Sequence, residues 1–222
     1  MFQRLGGVAA IAAGLTYVIG FWVYFSILGP VQYGSLSVPA EQHVGFLVEN
    51  AALMSAWNLV IYVLNAVLMV VLVIAVHQRV KAAANGLVQT ATAFGLIWAG
   101  LILATGMLTN VATSQIVQLA ETDMAAAASL WRSTVVVAAG LGGGNEITGG
   151  LWIVLLSLAG FQSRTLPMPV NLLGLVVGGA GVASTLPVLA SVATMIFGLG
   201  FIAWFFVVGV ALLVMKPERA TA

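Results

Sequence analysis

The residue with the clearest capacity for chemistry is a carboxylate, Glu146. It sits in the run Gly142-Gly143-Gly144-Asn145-Glu146-Ile147-Thr148-Gly149-Gly150, inside an apolar stretch. An ionisable acid within hydrocarbon-compatible sequence is a functional-site hypothesis by default. Three roles compete. Glu146 is a protonated or hydrogen-bonded structural group held by Asn58 or Tyr62, the binder of a cationic or polar ligand in an outward-facing pocket, or a proton relay in a transporter. The surrounding glycines let a second helix or a ligand approach closely, which fits the first two roles equally.

A second polar set, Ser55, Asn58, Tyr62 and Asn65, has spacings of three, four and three and therefore shares one helical face. Each amide must find a partner in an apolar medium or lose several kcal/mol, so this face points into a bundle. It serves either interhelical hydrogen bonds, worth ~0.6–2 kcal/mol each, or the wall of a polar cavity. Asn58, Tyr62, Asn65, Asn145 and Glu146 form the ligand-binding set that the sequence nominates. Glu41, His43 and Glu49 have spacings that suit no common helical face, and they read as a solvated interfacial helix rather than a metal site. No catalytic residue, metal site or cofactor is specified. Cysteine is absent, and the two histidines, His43 and His77, fall on opposite sides of the expected membrane. The segment 140–145 mimics a dinucleotide fingerprint but follows no strand.

The elements that must position these groups follow from composition. The chain is 62% hydrophobic and 6% charged, with mean hydropathy +1.14. A soluble domain carries about 25% charged residues, so bilayer is the solvent that suits this chain. Backbone in hydrocarbon must be satisfied by helices or a closed barrel, and long continuous apolar runs select helices. The expected class is all-α: a polytopic bundle of six transmembrane helices plus a short outer interfacial helix, in one transmembrane domain. The spans are 5–28, 51–76, 87–108, 138–161, 170–190 and 194–215, with the interfacial helix over 39–49.

Charge orients them. Arg4, Arg79, Lys81, Arg164, Lys216 and Arg219 all border one set of gaps, whereas Glu41, Glu49, Glu121 and Asp123 occupy the other. The positive-inside rule then places both termini in the cytoplasm, and five or seven crossings would break this agreement. Arg132 lies fourteen residues before Glu146, about 21 Å on an unbroken helix, and belongs to an outer amphipathic piece over 123–137. The net charge of +1 carries no basic patch, which excludes nucleic acid as a partner.

Helix association in lipid rests on small residues. Gly174 and Gly178, Ala180 and Ser184, Ala10 and Gly14, Gly95 and Ala99, and Gly100 and Ala104 have the required spacing of four. Intramolecular packing is the expected use, ahead of a dimer face. Trp98 and Trp152 fall deep in their spans and are expected in the core.

The segments Ala13-Gly14-Leu15-Thr16-Tyr17-Val18-Ile19, the outer helix leading into the polar second span, 150–156 and the proline turn of 166–175 together resemble a bacterial family of uncharacterised six-helix integral membrane proteins, a domain of unknown function. Family members often carry a basic residue entering the second helix, where this chain has Asn50 or Asn58. The resemblance implies the topology and a bacterial inner membrane; it brings no reaction and no catalytic residue. The leading functional expectation is a non-enzymatic protein whose outward-facing polar pocket binds or transports a small amphipathic or lipidic molecule. An accessory or scaffolding subunit of a larger membrane complex is the alternative, and an intramembrane enzyme using Glu146 the weakest. Expected partners are membrane lipids, a hydrophobic small molecule, and further copies or complex subunits.

Overall fold

A computed structural model describes residues 1–81, 85–143 and 146–216. Among these residues every regular element is helical. Helix α1 (Phe2–Val23) runs into a π-helical turn, Tyr24–Leu28. Helix α2 (Ala40–Asn58) continues through a π segment, Leu59–Leu64, into α3 (Asn65–Val80). Then come α4 (Asn85–Ala120), α5 (Met124–Ala138) with a terminal π turn Ala139–Gly143, α6 (Ile147–Ser163), α7 (Met168–Ala183) and α8 (Ala190–Val214).

Local chemistry explains the boundaries. Gly29-Pro30 follows the end of the first helical stretch, because proline lacks the donor needed to continue it. Pro39 occupies the N-cap of α2, with Glu41 in the first turn at the positive dipole end. Next to the boundary expected at 49, α2 kinks: Asn50 leaves helical geometry at φ −123° and ψ 23°. Its own Nδ2 donates to the Phe46 carbonyl at 2.9 Å, so the kink carries its own hydrogen bond. Asp123 caps α5, accepting from the Ala126 N–H at 2.9 Å. Arg164, in the left-handed region at φ 53°, terminates α6.

Among the described residues, five helical stretches are long and apolar enough to cross a membrane: Phe2–Leu28, Ala40–Val80, Gly86–Ala120, Met124–Leu141 and Ala190–Val214. Helices α6 and α7 are apolar but only 17 and 16 residues long, about 26 and 24 Å. Two expected spans are therefore revised. The segment 138–161 is not one regular helix: α6 begins only at Ile147, after Glu146, which adopts φ −97°, ψ 19°. The span 170–190 stops at Ala183. There the Ser184 and Thr185 hydroxyls donate to the Gly181 and Val182 carbonyls at 2.7 and 2.8 Å, and Pro187 follows.

The chain divides into two compact units. The first is Met1–Leu15, Ala66–Gly100 and Asn145–Ala222; the second is Thr16–Asn65 and Leu101–Gly144. The first is built on a ring cluster. Trp98 lies 4.7 Å from Phe201, Trp152 lies 5.4 Å from Trp204, and Phe201 lies 4.0 Å from Phe205. Both tryptophans expected in the core are there, and the Trp204 indole N–H donates to the Val170 carbonyl at 3.2 Å. Beside it, α6 and α7 touch backbone to backbone: a Cβ on Gly178 would lie 2.8 Å from the Gly150 carbonyl oxygen. One end of this unit gathers polar groups. Gln3 donates to the carbonyls of Leu212 and Met215 at 2.8 and 3.0 Å. Arg79 donates to those of Thr165 and Lys216, both at 3.1 Å. The second unit packs Leu28, Val44, Leu47, Met54, Ile116 and Trp131 together.

The glycine seam makes a signed prediction. A methyl at Gly150 would meet the Val182 amide nitrogen at 2.6 Å and the Gly178 oxygen at 2.8 Å, whereas one at Gly179 meets nothing within 4 Å. Gly150→Ala should destabilise by about 1–3 kcal/mol. Gly179→Ala should be neutral or stabilise by up to about 1 kcal/mol through helix propensity. Thermal unfolding followed by circular dichroism in detergent measures both.

Candidate functional site

A candidate site lies in the second unit, where the loop after α1 folds over the start of α2. The loop satisfies its own backbone. Tyr33 N–H donates to the Leu28 carbonyl at 2.9 Å, Ser35 N–H to that of Gln32 at 3.0 Å, and Gln42 N–H to that of Pro39 at 3.1 Å. Two residues in the left-handed region, Gln32 at φ 49° and Gly34 at φ 89°, reverse the chain. Between loop and helix lies a cleft of about 620 Å³, within the usual range for small-molecule sites. Its lining is mixed. Pro30, Val31, Val38 and Phe46 are apolar, and Gln32, Gln42, His43 and Glu49 are polar. Gly45 completes it, with no heavy atom within 4 Å of the place a Cβ would take.

His43 joins this cleft to the core. Its Nε2 lies 3.0 Å from the Ser35 carbonyl oxygen, which can only accept, so Nε2 carries the hydrogen. The imidazole stacks on the Trp131 indole at 4.3 Å and 17°, and the Tyr33 ring meets it edge-on at 5.5 Å. The Trp131 Nε1–H donates to the Tyr33 hydroxyl oxygen at 3.4 Å. Three rings from the loop, α2 and α5 thus hold one another in the edge and offset geometries that aromatic quadrupoles favour. Burial pushes the Tyr33 phenol up to about 12, the Trp131 hydrogen bond opposing the shift.

On the helix expected to be solvated and interfacial, Glu41 and Glu49 are exposed, whereas His43 is only 2% exposed. The mutual spacing of Glu41, His43 and Glu49 hid the relevant pattern. Measured against Ala40, Val44 and Leu47, all buried, His43 lies on the apolar face of α2. Neither Tyr33 nor Trp131 carried a comparable sequence signal.

The nominated residues divide between the units. Asn65 is fully buried, and its Nδ2 donates to the Thr16 hydroxyl at 2.8 Å, the interhelical role weighed for it. Asn58 is also buried, and Tyr62 is half-buried. Where α4 passes this stripe, a Cβ on Gly106 would fall 2.6 Å from that of Tyr62. All three belong to the second unit. Glu146 belongs to the first. It is the N-cap of α6 rather than a residue within a helix. Its N–H donates to the Ser184 hydroxyl at 3.3 Å, and its carbonyl accepts from the Gly150 N–H at 2.8 Å. Asn145 lies outside the described residues. Among the described residues no group of three or more His, Asp or Glu side chains is placed to hold a metal ion.

Comparison with protein-family models, with curated proteins and with solved structures finds no match to this chain.

The raised Tyr33 phenol has a consequence for stability. An unfolded tyrosine ionises near 10, so the unfolded state loses its proton first as pH rises. The contribution is complete below pH 10 and is lost as pH approaches about 12. Stability to chemical denaturation should fall across that window, and Tyr33→Phe should flatten the slope. Denaturant titrations between pH 9 and 12, read by circular dichroism, provide the check.

Proposed function

We propose that this chain is an integral membrane protein of six crossings, with both termini on the cytoplasmic side of a bacterial inner membrane. Its outward-facing cleft binds a small amphipathic molecule. The observation that carries the binding reading is the mixed apolar and polar lining of the cleft. Pro30, Val31, Val38 and Phe46 line it together with the amides of Gln32 and Gln42, the His43 imidazole and the Glu49 carboxylate, a combination that suits an amphiphile.

Several features support the topology. Gln3, Arg79, Thr165 and Lys216 meet at one end of the first unit, as expected if the basic gaps share one side. The 41 residues of Ala40–Val80 and the 36 of α4 span about 61 and 54 Å, against a hydrocarbon core of about 30 Å. Both have length to spare for an outer extension. In this reading α5 lies outside, burying Ala127, Ala128 and Trp131 and exposing Arg132, and α6 makes the fourth crossing. A scaffolding role draws less support, because Gly150, Gly174, Gly178 and Gly181 are engaged between helices of the chain's own first unit.

The absence of cysteine makes the topology directly testable. Single cysteines at Leu36 and Glu121 should react with a membrane-impermeant maleimide on intact cells. Cysteines at Lys81 and Lys216 should react only after permeabilisation, and the reverse pattern would invert the orientation. Binding is tested by native mass spectrometry of gently purified protein. A retained amphiphile is expected on the wild type and on Glu146→Gln, and it should be lost from Gly45→Trp, whose side chain fills the cleft from an open position. An adduct that survives Gly45→Trp but not Glu146→Gln would move the site to Glu146.

A further inference from the structure

We infer that the cleft selects an amphiphile with a compact cationic head, an alkylammonium in chemical class, and that Glu49 is its counter-ion. This rests on the reading of the cleft as a binding site. Among the side chains that line it, Glu49 carries the one carboxylate, and none is Lys or Arg. An anionic head would meet that carboxylate with no compensating cation, and like-charge contacts are a strong negative selector. Phospholipids are disfavoured for the same reason, since their phosphate finds no basic partner.

The remaining polar groups agree. Gln32 and Gln42 each bring a carbonyl acceptor, whereas the hydrogen on His43 Nε2 is committed to the Ser35 carbonyl. Phe46, half-buried in the wall and 5.4 Å from the Tyr33 ring, offers an aromatic surface of the kind that attracts quaternary ammonium groups. One carboxylate is far short of the six to eight oxygens that calcium takes, so the site suits an organic cation rather than a metal ion. Glu41 shares α2 with Glu49, and in the proposed topology Glu121 and Asp123 fall on the same side of the membrane, so this side attracts cationic ligands.

The test uses the whole protein in phosphatidylcholine nanodiscs at pH 7.5 and low salt, titrated calorimetrically with octyltrimethylammonium, octyl glucoside or octanoate, with empty nanodiscs subtracted. Octyltrimethylammonium should bind saturably and more tightly than octanoate. Glu49→Gln should weaken it at least about threefold, on the scale of a partly solvated ion pair, and leave octyl glucoside unchanged. Glu49→Asp should retain the preference. Glu49 is exposed, and an unaltered thermal melt verifies that these variants fold. If Gly45→Trp abolishes octyltrimethylammonium binding but Glu49→Gln does not alter it, the charge selection is overturned and the cleft stands. Tighter octanoate binding overturns the selection as well. Equal binding to wild type and Gly45→Trp, or no binding of any probe, overturns the cleft itself.

Discussion

A backbone with almost no charged side chains around it and little water within reach must satisfy its own hydrogen bonds, and every other feature of this protein follows from that requirement. Helices meet it residue by residue, so the interruptions are informative. Each one described carries a substitute partner. The Asn50 amide takes the Phe46 carbonyl at the kink of α2, the Asp123 carboxylate takes an N–H at the start of α5, and the Ser184 and Thr185 hydroxyls take carbonyls where α7 ends. The π turns serve the same end, since they alter the course of a helix while keeping its backbone bonded.

Side-chain packing then chooses how the helices meet. In lipid there is little hydrophobic gain from bringing one apolar helix against another, so close contact carries the association. In the first unit this takes two complementary forms, the bare backbone contact of Gly150 with Gly178 and the large-ring core of Trp98, Trp152, Phe201 and Trp204. Small residues let α6 and α7 touch, and rings fill the volume beside them. The second unit uses a mixed core, in which His43 takes part as an aromatic ring while keeping one nitrogen on a loop carbonyl.

Local signals carried much of this fold. The kink at Asn50 was legible because Pro39 and Glu41 announce a helix start and the polar residues of 41–50 separate it from the apolar run that follows. The use of Gly174 and Gly178 was legible from spacing, but Gly100, at equally good spacing, meets nothing within 4 Å. A repeat of four states which face is small and cannot state what lies opposite. The division near Glu146 was harder to read, because the flanking segments are both apolar and the glycines permit either a kink or a stop. The nominated set of Asn58, Tyr62, Asn65 and Glu146 rested on polarity alone, and polarity does not distinguish an amide that bonds a neighbouring helix, as Asn65 does with Thr16, from one that lines a cavity.

By itself, the sequence determined the helical class, the long apolar stretches and the partition of charge between alternate gaps, because hydropathy and charge are sums over neighbouring residues. Tertiary structure alone decided that Tyr33, His43 and Trp131 share one ring cluster and that a cleft opens between residues 30 and 49. Trp131 lies 98 positions beyond Tyr33 along the chain, and no local pattern encodes which helix will cover a given face. The same long-range packing turned a histidine among acids, which reads as solvated, into a buried ring beside that cleft.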